Sequence, residues 1–368
     1  MGLESQTAEG EAVHNPRREQ GHVGVLVAIG VVASLLGIGL GLLIDWFPVA
    51  ASDEAGPIDT VWDVLVIVSV PVFVLVTTIV LYSVWRFHMI PGEEDLDGPP
   101  IHGNTRLEIV WTAIPAILLV ALCSYAYVVL TDIEEASGKG ALEVRVVGEQ
   151  FTWTFYYENP DDPQAQEIAS PQLYVPLGQQ VHFTVQSEDV IHDFWVPAFR
   201  MKIDAVRGID THIRVTPKRI GEYPVVCAEL CGLGHAAMRQ TAHVVSADEF
   251  ESWLNDRAQQ AAGGGEAGGG EAGGGEEGSA ENGKAVFTAQ GCGGCHALAD
   301  AGTTGGTGPD LDEGLAGKDE AFIKESIVDP SAQITEGFQD GIMPPSYGQS
   351  LTPAELDSLV KYLAEVTN

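Results

Sequence analysis

The sequence predicts a multidomain membrane protein: N-terminal transmembrane helices, an exported β-sandwich or barrel, a flexible linker and a small helical domain. Three observations carry that reading. The 368 residues contain three long runs free of charged side chains, a series of short β-type segments after residue 141, and a Gly/Glu repeat that sets off the last part of the chain. Composition adds a boundary. With 52 Asp+Glu against 18 Lys+Arg the net charge is −34, which excludes most nucleic-acid binding because nothing here can displace counterions from phosphates. A mean hydropathy of +0.09 in so acidic a chain requires that apolar residues be segregated into runs.

The runs are Val23–Ile44, Val64–Trp85 and Ile109–Leu130, each of 22 residues. As helix, 22 residues cover about 33 Å, against a hydrocarbon core of about 30 Å. Pro71 and Pro115 lie inside the second and third runs, where spanning helices tolerate them better than soluble ones do. Arg17 and Arg18 precede the first run, Arg86 and Arg106 flank the loop between the second and third, and residues 45–60 hold no Lys or Arg. The positive-inside rule therefore places residues 1–22 in the cytoplasm as a tail and everything after Leu130 outside. Residues 23–44 form a first transmembrane helix or a signal segment, with the small residues Ala50 and Ala51 nearby; residues 61–132 form a helical hairpin.

From residue 141 short β-type runs follow: Leu142–Val147, Phe151–Tyr157, Val181–Gln186, His212–Val215, Tyr223–Val226 and Thr241–Val245. Ser246 and Glu249 form a capping box that opens a helix ending near Gln260. Residues 261–280, with GGGEA-type repeats carrying Glu266, Glu271, Glu276 and Glu277, read as a self-repelling flexible linker. Residues 141–260 and 281–368 are thus two separate exported domains.

Four of the five cysteines sit in two tight motifs. Cys123, in the third apolar run, reads as a small hydrophobe. The first motif, Cys227-Ala-Glu-Leu-Cys231-Gly-Leu-Gly-His235-Ala-Ala-Met238, gathers two thiols, an imidazole and a thioether, a soft ligand set suited to copper. Two thiolates can bridge two copper ions and spread one electron over both; the second imidazole such a pair needs is best supplied by His192. A disulfide and a structural zinc site are the alternatives, and the Met together with the Gly-rich loop favours copper.

These residues resemble subunit II of haem–copper cytochrome c oxidases, whose binuclear CuA centre lies in a cupredoxin-like Greek-key β-barrel. The resemblance covers most of residues 60–250 and includes Leu107–Pro115, Gly148-Glu149-Gln150, Asp189–Pro197, Met201–Val206 and the Cys227–Met238 loop. By position it implies that Cys227 and Cys231 bridge the coppers, that His192 and His235 each bind one, and that Met238 and the Glu229 carbonyl are axial ligands. It also implies a Mg²⁺ shared with subunit I at the Glu229 side chain and a proton-pathway mouth at Glu108. Where the family often has Trp after the Gly-x-Gln segment, receiving electrons from a docked cytochrome, this chain has Phe151, with Trp153 two residues on. His182 and His212, on predicted strands, read as surface or packing residues.

The second motif, Cys292-Gly-Gly-Cys295-His296, is the attachment signal of c-type haem, both thiols adding to the vinyl groups and the imidazole binding the iron. Gly283 and Phe287 precede it on a predicted helix, and Gly308-Pro309-Asp310-Leu311 follows, as in small class I cytochromes c, which the whole 281–368 segment resembles. Met343, in Gly341-Ile-Met343-Pro-Pro, offers a sixth ligand, and Thr352-Pro-Ala-Glu355 caps a final amphipathic helix.

The combination implies the subunit by which electrons enter a cytochrome c oxidase, passing from haem c to CuA and on to subunit I, where oxygen is reduced with proton pumping. The expected partners are subunit I, further oxidase subunits, a donor cytochrome c or bc complex, and membrane lipid. The expected location is the plasma (inner) membrane of a prokaryote, with both metal domains on the outer, periplasmic side. A CuA subunit of a nitric oxide reductase and a membrane-anchored copper carrier are the alternatives; the haem motif weighs against the carrier. A linker of roughly twenty residues has a root-mean-square span of about 25 Å, which keeps the haem domain concentrated near the copper domain. The acidic residues are scattered through the chain rather than gathered on one docking face, which favours adaptation to salt.

Overall fold

The structure, a computed structural model, describes residues 23–88, 102–134, 140–160, 167–262 and 279–368. The N-terminal tail, the centre of the loop between the second and third spans, and nearly all of the Gly/Glu linker lie outside the described residues. Within the described residues the chain divides into two compact units.

The first unit contains the apolar helices α1 (Val23–Leu43) and most of α2 (Ala55–Phe87) and α3 (Thr105–Ile133). Their most apolar stretches have mean hydropathies of 2.6, 2.9 and 2.3 and are unburied by protein, as lipid-facing helices must be. At 1.5 Å per residue, α2 and α3 exceed a hydrocarbon core of about 30 Å, so their ends project beyond it. Pro71 and Pro115 sit inside α2 and α3 without ending them. α1 packs closely on α2: a Cβ on Gly37 would lie 2.8 Å from Val70, and one on Gly41 2.7 Å from Val66. Two glycines four apart let helix backbones approach closely, a common packing device where no hydrophobic effect drives association. Asn104 caps α3 by accepting from Leu107 N, and Glu108 Oε1 accepts from Asn104 N at 3.1 Å.

The second unit begins with the loop that precedes α2. That loop joins the β-domain through Ala51 N to Ala198 O (2.8 Å) and Asp53 N to Thr216 O (3.0 Å). Arg200, its side chain 5% exposed, binds Asp59 at 2.7 Å and the Pro48 carbonyl, and stacks over Phe47. Among the described residues the β-domain has ten strands: β1 (Leu142–Glu149), β2 (Thr152–Tyr157), β3 (Ile168–Ser170), β4 (Leu173–Pro176), β5 (Val181–Ser187), β6 (His192–Trp195), β7 (Lys202–Ala205), β8 (Thr211–Val215), β9 (Gly221–Cys227) and β10 (Arg239–Val245). They form two sheets, β3-β2-β1-β5-β8 and β4-β10-β9-β6-β7, with β1–β5 and β4–β10 parallel and the other pairs antiparallel. This is a cupredoxin-like barrel. Alternation buries one face of each strand, as in Val181, Phe183 and Val185 of β5, and the core is dense in aromatics: Trp153, Phe155, Phe183 and Phe194. The helix α4 (Ala247–Ala262) closes the domain, its start capped by Ser246 and Glu249.

The C-terminal domain is helical: α5 (Ala280–Ala289), α6 (Leu311–Gly314), α7 (Glu320–Val328), α8 (Tyr347–Ser350) and α9 (Pro353–Val366). The Thr352–Glu355 capping box is formed in full at the start of α9. α5 crosses α9 so closely that a Cβ on Gly283 would overlap the Ser358 carbonyl. Phe287, Ile323, Leu359 and Tyr362 fill the core around that crossing. Because the obstruction is backbone, it cannot swing aside. Gly283→Ala should destabilise this domain by about 1–3 kcal/mol, read as a lower denaturation midpoint for the C-terminal domain in the intact chain.

Candidate metal centres

The copper-type motif is assembled by three pieces of the β-domain. β6 starts with His192, β9 ends at Cys227, and the following loop returns through a short 3-10 turn at His235–Ala237 to Met238 and β10. Backbone bonds tie the loop's base: Cys227 N to Met238 O at 3.2 Å and Ala228 N to Asp193 O at 3.0 Å. Gly232 and Gly234 let the loop lie flat, since a Cβ on either would press into the Phe151 ring. Gly148 is likewise required, because a Cβ there would come within 2.9 Å of Trp153 and 3.1 Å of His192.

Ligand-capable atoms of His192, Cys227 and Cys231, all buried, lie within 4.8 Å of one another. Cys227 Sγ is 3.8 Å from Cys231 Sγ and 3.9 Å from His192 Nδ1; Cys231 Sγ is 3.6 Å from His235 Nδ1 and 3.8 Å from Met238 Sδ. The Glu229 carbonyl is 3.2 Å from Cys227 Sγ. A disulfide needs about 2.05 Å, so the sulfurs are free thiols. Two sulfurs at this separation, flanked by one imidazole each and a thioether, fit a pair of soft metal ions. The four candidate side chains of the motif, with His192 and the Glu229 carbonyl, thus gather around the two sulfurs. The Glu229 carboxylate is exposed.

Electrostatics prepare the ligands. His192 Nε2 lies 2.8 Å from Asp189 Oδ1, which assigns the proton to Nε2 and leaves Nδ1 to face the thiol. Burial opposes ionisation of Asp189, but the His192 ring and the amides of Gln150 and Val190 outweigh it and hold its carboxyl below the usual range. Burial likewise opposes a charge on His192, yet the Cys227 thiol and Asp189 raise its pKa. Burial would raise the Cys227 thiol, but His192 and the backbone of Asp193 and Glu229 bring it down to about 7. Burial and the neighbouring Cys227 push Cys231 up to about 12. Gln150 also donates to the Cys231 carbonyl at 2.5 Å, bracing the loop from β1.

Phe151 is 7% exposed and packed on the loop glycines; Trp153 is wholly buried, edge-on to His192 with ring centroids 5.8 Å apart. Glu108 belongs to the first unit and serves the start of α3. His182 pairs with Glu143 at 2.7 Å on the outer face of the sheet, beside His212 and apart from the ligand cluster.

In the C-terminal domain Cys292, Cys295, His296 and Met343 border one cavity. His296 Nδ1 donates to the Pro309 carbonyl at 2.9 Å, leaving Nε2 as the ring nitrogen open to a metal. Burial lowers the His296 pKa and keeps the imidazole neutral. Gly308 is needed because a Cβ there would sit 2.6 Å from the His296 ring. A neutral, pre-oriented imidazole, two free thiols in a short turn and a thioether on the same cavity fit a covalently attached haem. Asp189, Gln150 and Pro309 were not assigned roles by the motifs. Their signal was weak: an Asp three residues before a candidate ligand, and a Gly-Pro after the haem motif.

Fold and sites together describe a chain with three helices long and apolar enough to cross a membrane and two further domains, each with a cluster of side chains that could hold a metal or cofactor. Family models for the cytochrome c oxidase subunit II transmembrane domain, the subunit II periplasmic domain and cytochrome c match residues 38–129, 165–245 and 280–367. Cytochrome c oxidase subunit 2 of Alkalihalophilus pseudofirmus is 32% identical over 314 residues, covering 82% of this chain and 83% of that protein. The subunit 2 of Thermostichus vulcanus is 32% identical over 276 residues, covering 61% of this chain and 82% of that one. A solved periplasmic domain of cytochrome oxidase subunit II from Bradyrhizobium japonicum is 29% identical, covering 34% of this chain and 99% of that chain, with a TM-score of 0.31. The chain belongs to the cytochrome c oxidase subunit II family and carries a fused cytochrome c domain. Membership implies a CuA copper centre and a haem, a haem–copper oxidase as the enzyme, and an outer-side domain.

Asp189 provides a test that separates positioning from ligation. Asp189→Ala removes the acceptor that orients His192, so copper affinity should fall roughly 10–100-fold in a chelator competition while the fold is retained.

Proposed function

We propose that this chain admits electrons to a haem–copper terminal oxidase of a prokaryotic plasma (inner) membrane. When bound, a haem and a dicopper centre would supply one-electron redox chemistry between a donor cytochrome c or bc complex and subunit I, where oxygen would be reduced to water with proton pumping. The observation that carries this reading is the buried His192–Cys227–Cys231 cluster with Met238 beside it, in the same chain as the Cys292–His296 cavity.

In this reading Cys227, Cys231, His192, His235 and Met238, with the Glu229 carbonyl, would hold the two coppers, which would supply one-electron redox chemistry. Asp189 holds His192 in the tautomer that presents Nδ1, and Trp153 with Gly148 fixes its plane. Cys292 and Cys295 would hold the haem covalently, and His296 and Met343 would ligate its iron, a ligand set that would suit electron transfer and not oxygen binding. Phe151 and Trp153 are the aromatics by which electrons enter the copper domain. The exposed Glu229 carboxylate is available to a Mg²⁺ shared with subunit I, and Glu108 to a proton path on the cytoplasmic side. Subunit I, further oxidase subunits and lipid are the standing partners.

Metal analysis of the intact oxidase should return two copper ions and one covalent haem for this chain, with a mixed-valence dicopper paramagnetic signal. Zinc in the loop, or a Cys227–Cys231 disulfide, would overturn the assignment. Cys231→Ser should abolish the dicopper signal while leaving haem c absorbance intact. Met343→Ala should leave the haem attached but convert it to a high-spin optical spectrum.

A further inference from the structure

Arg257 lies on α4 of the β-domain with its side chain 9% exposed, yet its acceptors are on the cytochrome domain. Nη1 donates to Glu355 Oε2 at 2.9 Å and Nη2 to the Ser350 carbonyl at 3.5 Å, while the buried Nε has no hydrogen-bond partner among the described residues. Glu355 is itself fixed, since the same Oε2 accepts from Thr352 N and Oγ, both at 2.8 Å, to cap α9. Among the described residues, this nearly buried cation has its hydrogen-bond acceptors across the seam.

The rest of the seam agrees. The Gln172 amide donates to the Ala289 carbonyl at the end of α5, and its Oε1 accepts from His243 Nε2 at 2.7 Å. Ile342, next to Met343, packs against the β-domain core. Gly294, inside the haem motif, faces Ala237, inside the copper loop: a Cβ on Gly294 would lie 3.4 Å from the Ala237 Cβ. Phe151 and Ala237 border the same cavity as Cys295 and His296.

We propose that Arg257 and Glu355 form a latch that docks the chain's own cytochrome domain over the copper loop, with Arg257 the positioning residue. The proposal rests on the reading of the two sites as haem and dicopper. The step it serves is a single-electron transfer: haem iron passes from Fe²⁺ to Fe³⁺ and the dicopper centre gains one electron, with no bond made or broken. The reductant is the reduced c-type cytochrome that the family's activity supplies. Transfer then starts from a fixed contact at Gly294 and Ala237, not from excursions on a leash. It also follows that Phe151 is covered, so a soluble donor delivers to the cytochrome domain and not to the copper face.

The test uses intact oxidase carrying Arg257→Gln or Arg257→Met. Both leave the α9 cap untouched, because Glu355 Oε2 still accepts from Thr352 N and Oγ. Hydrogen exchange at residues 236–240 and 289–294 reports docking whether or not the metals are loaded. Both variants should speed exchange at both segments by about tenfold, as for loss of one coupled contact. Internal haem-to-copper transfer should slow by a similar factor, with haem absorbance, the dicopper signal and KM for reduced cytochrome c unchanged. Unaltered exchange in Arg257→Met overturns the latch. Absence of the haem or copper signal from the unsubstituted oxidase overturns the underlying reading instead, and the exchange result still decides the latch.

Discussion

The structure is organised around two thiols held 3.8 Å apart without bonding to each other. Sulfurs so placed would ordinarily oxidise in an exported protein, and they survive only if a metal or a rigid scaffold keeps them separate. Here the scaffold is explicit. Cys227 is anchored at the end of β9 and Cys231 in a loop pressed flat on Phe151, with Gln150 gripping the Cys231 carbonyl. The glycines at 232 and 234, the small residue at 148 and the burial of Trp153 are all consequences of keeping that geometry.

Much of the architecture was legible in the amino-acid order because it rests on local physics. The three apolar runs became α1, α2 and α3, six β-type runs became β1, β2, β5, β8, β9 and β10, and both capping boxes formed. The four strands β3, β4, β6 and β7 were not foreseen. They are three or four residues long and gain their identity from neighbours. β6 is the instructive one: its buried Asp193 breaks the apolar alternation and is sustained by Lys202 of β7 at 2.6 Å. α7 was missed as well, a nine-residue helix begun by the Asp319 cap.

The sites divide the same way. Ligand-type side chains announce themselves by spacing, so the two cysteine motifs were readable at once. The groups that orient them were not, because their roles arise from proximity across long sequence separations. Gln150 meets Asp189 from 39 residues away, and Arg257 meets Glu355 from 98. The linker composition suggested a loosely tethered haem domain. Packing of Ile342 and Gly294 against the β-domain describes a seated one.

His192 and His296 share one further trait. Each ring has one nitrogen committed within the protein, one to a carboxylate and the other to a proline carbonyl. Both imidazoles thus have their ring orientation set by the polypeptide itself, through bonds that span three residues in one case and thirteen in the other.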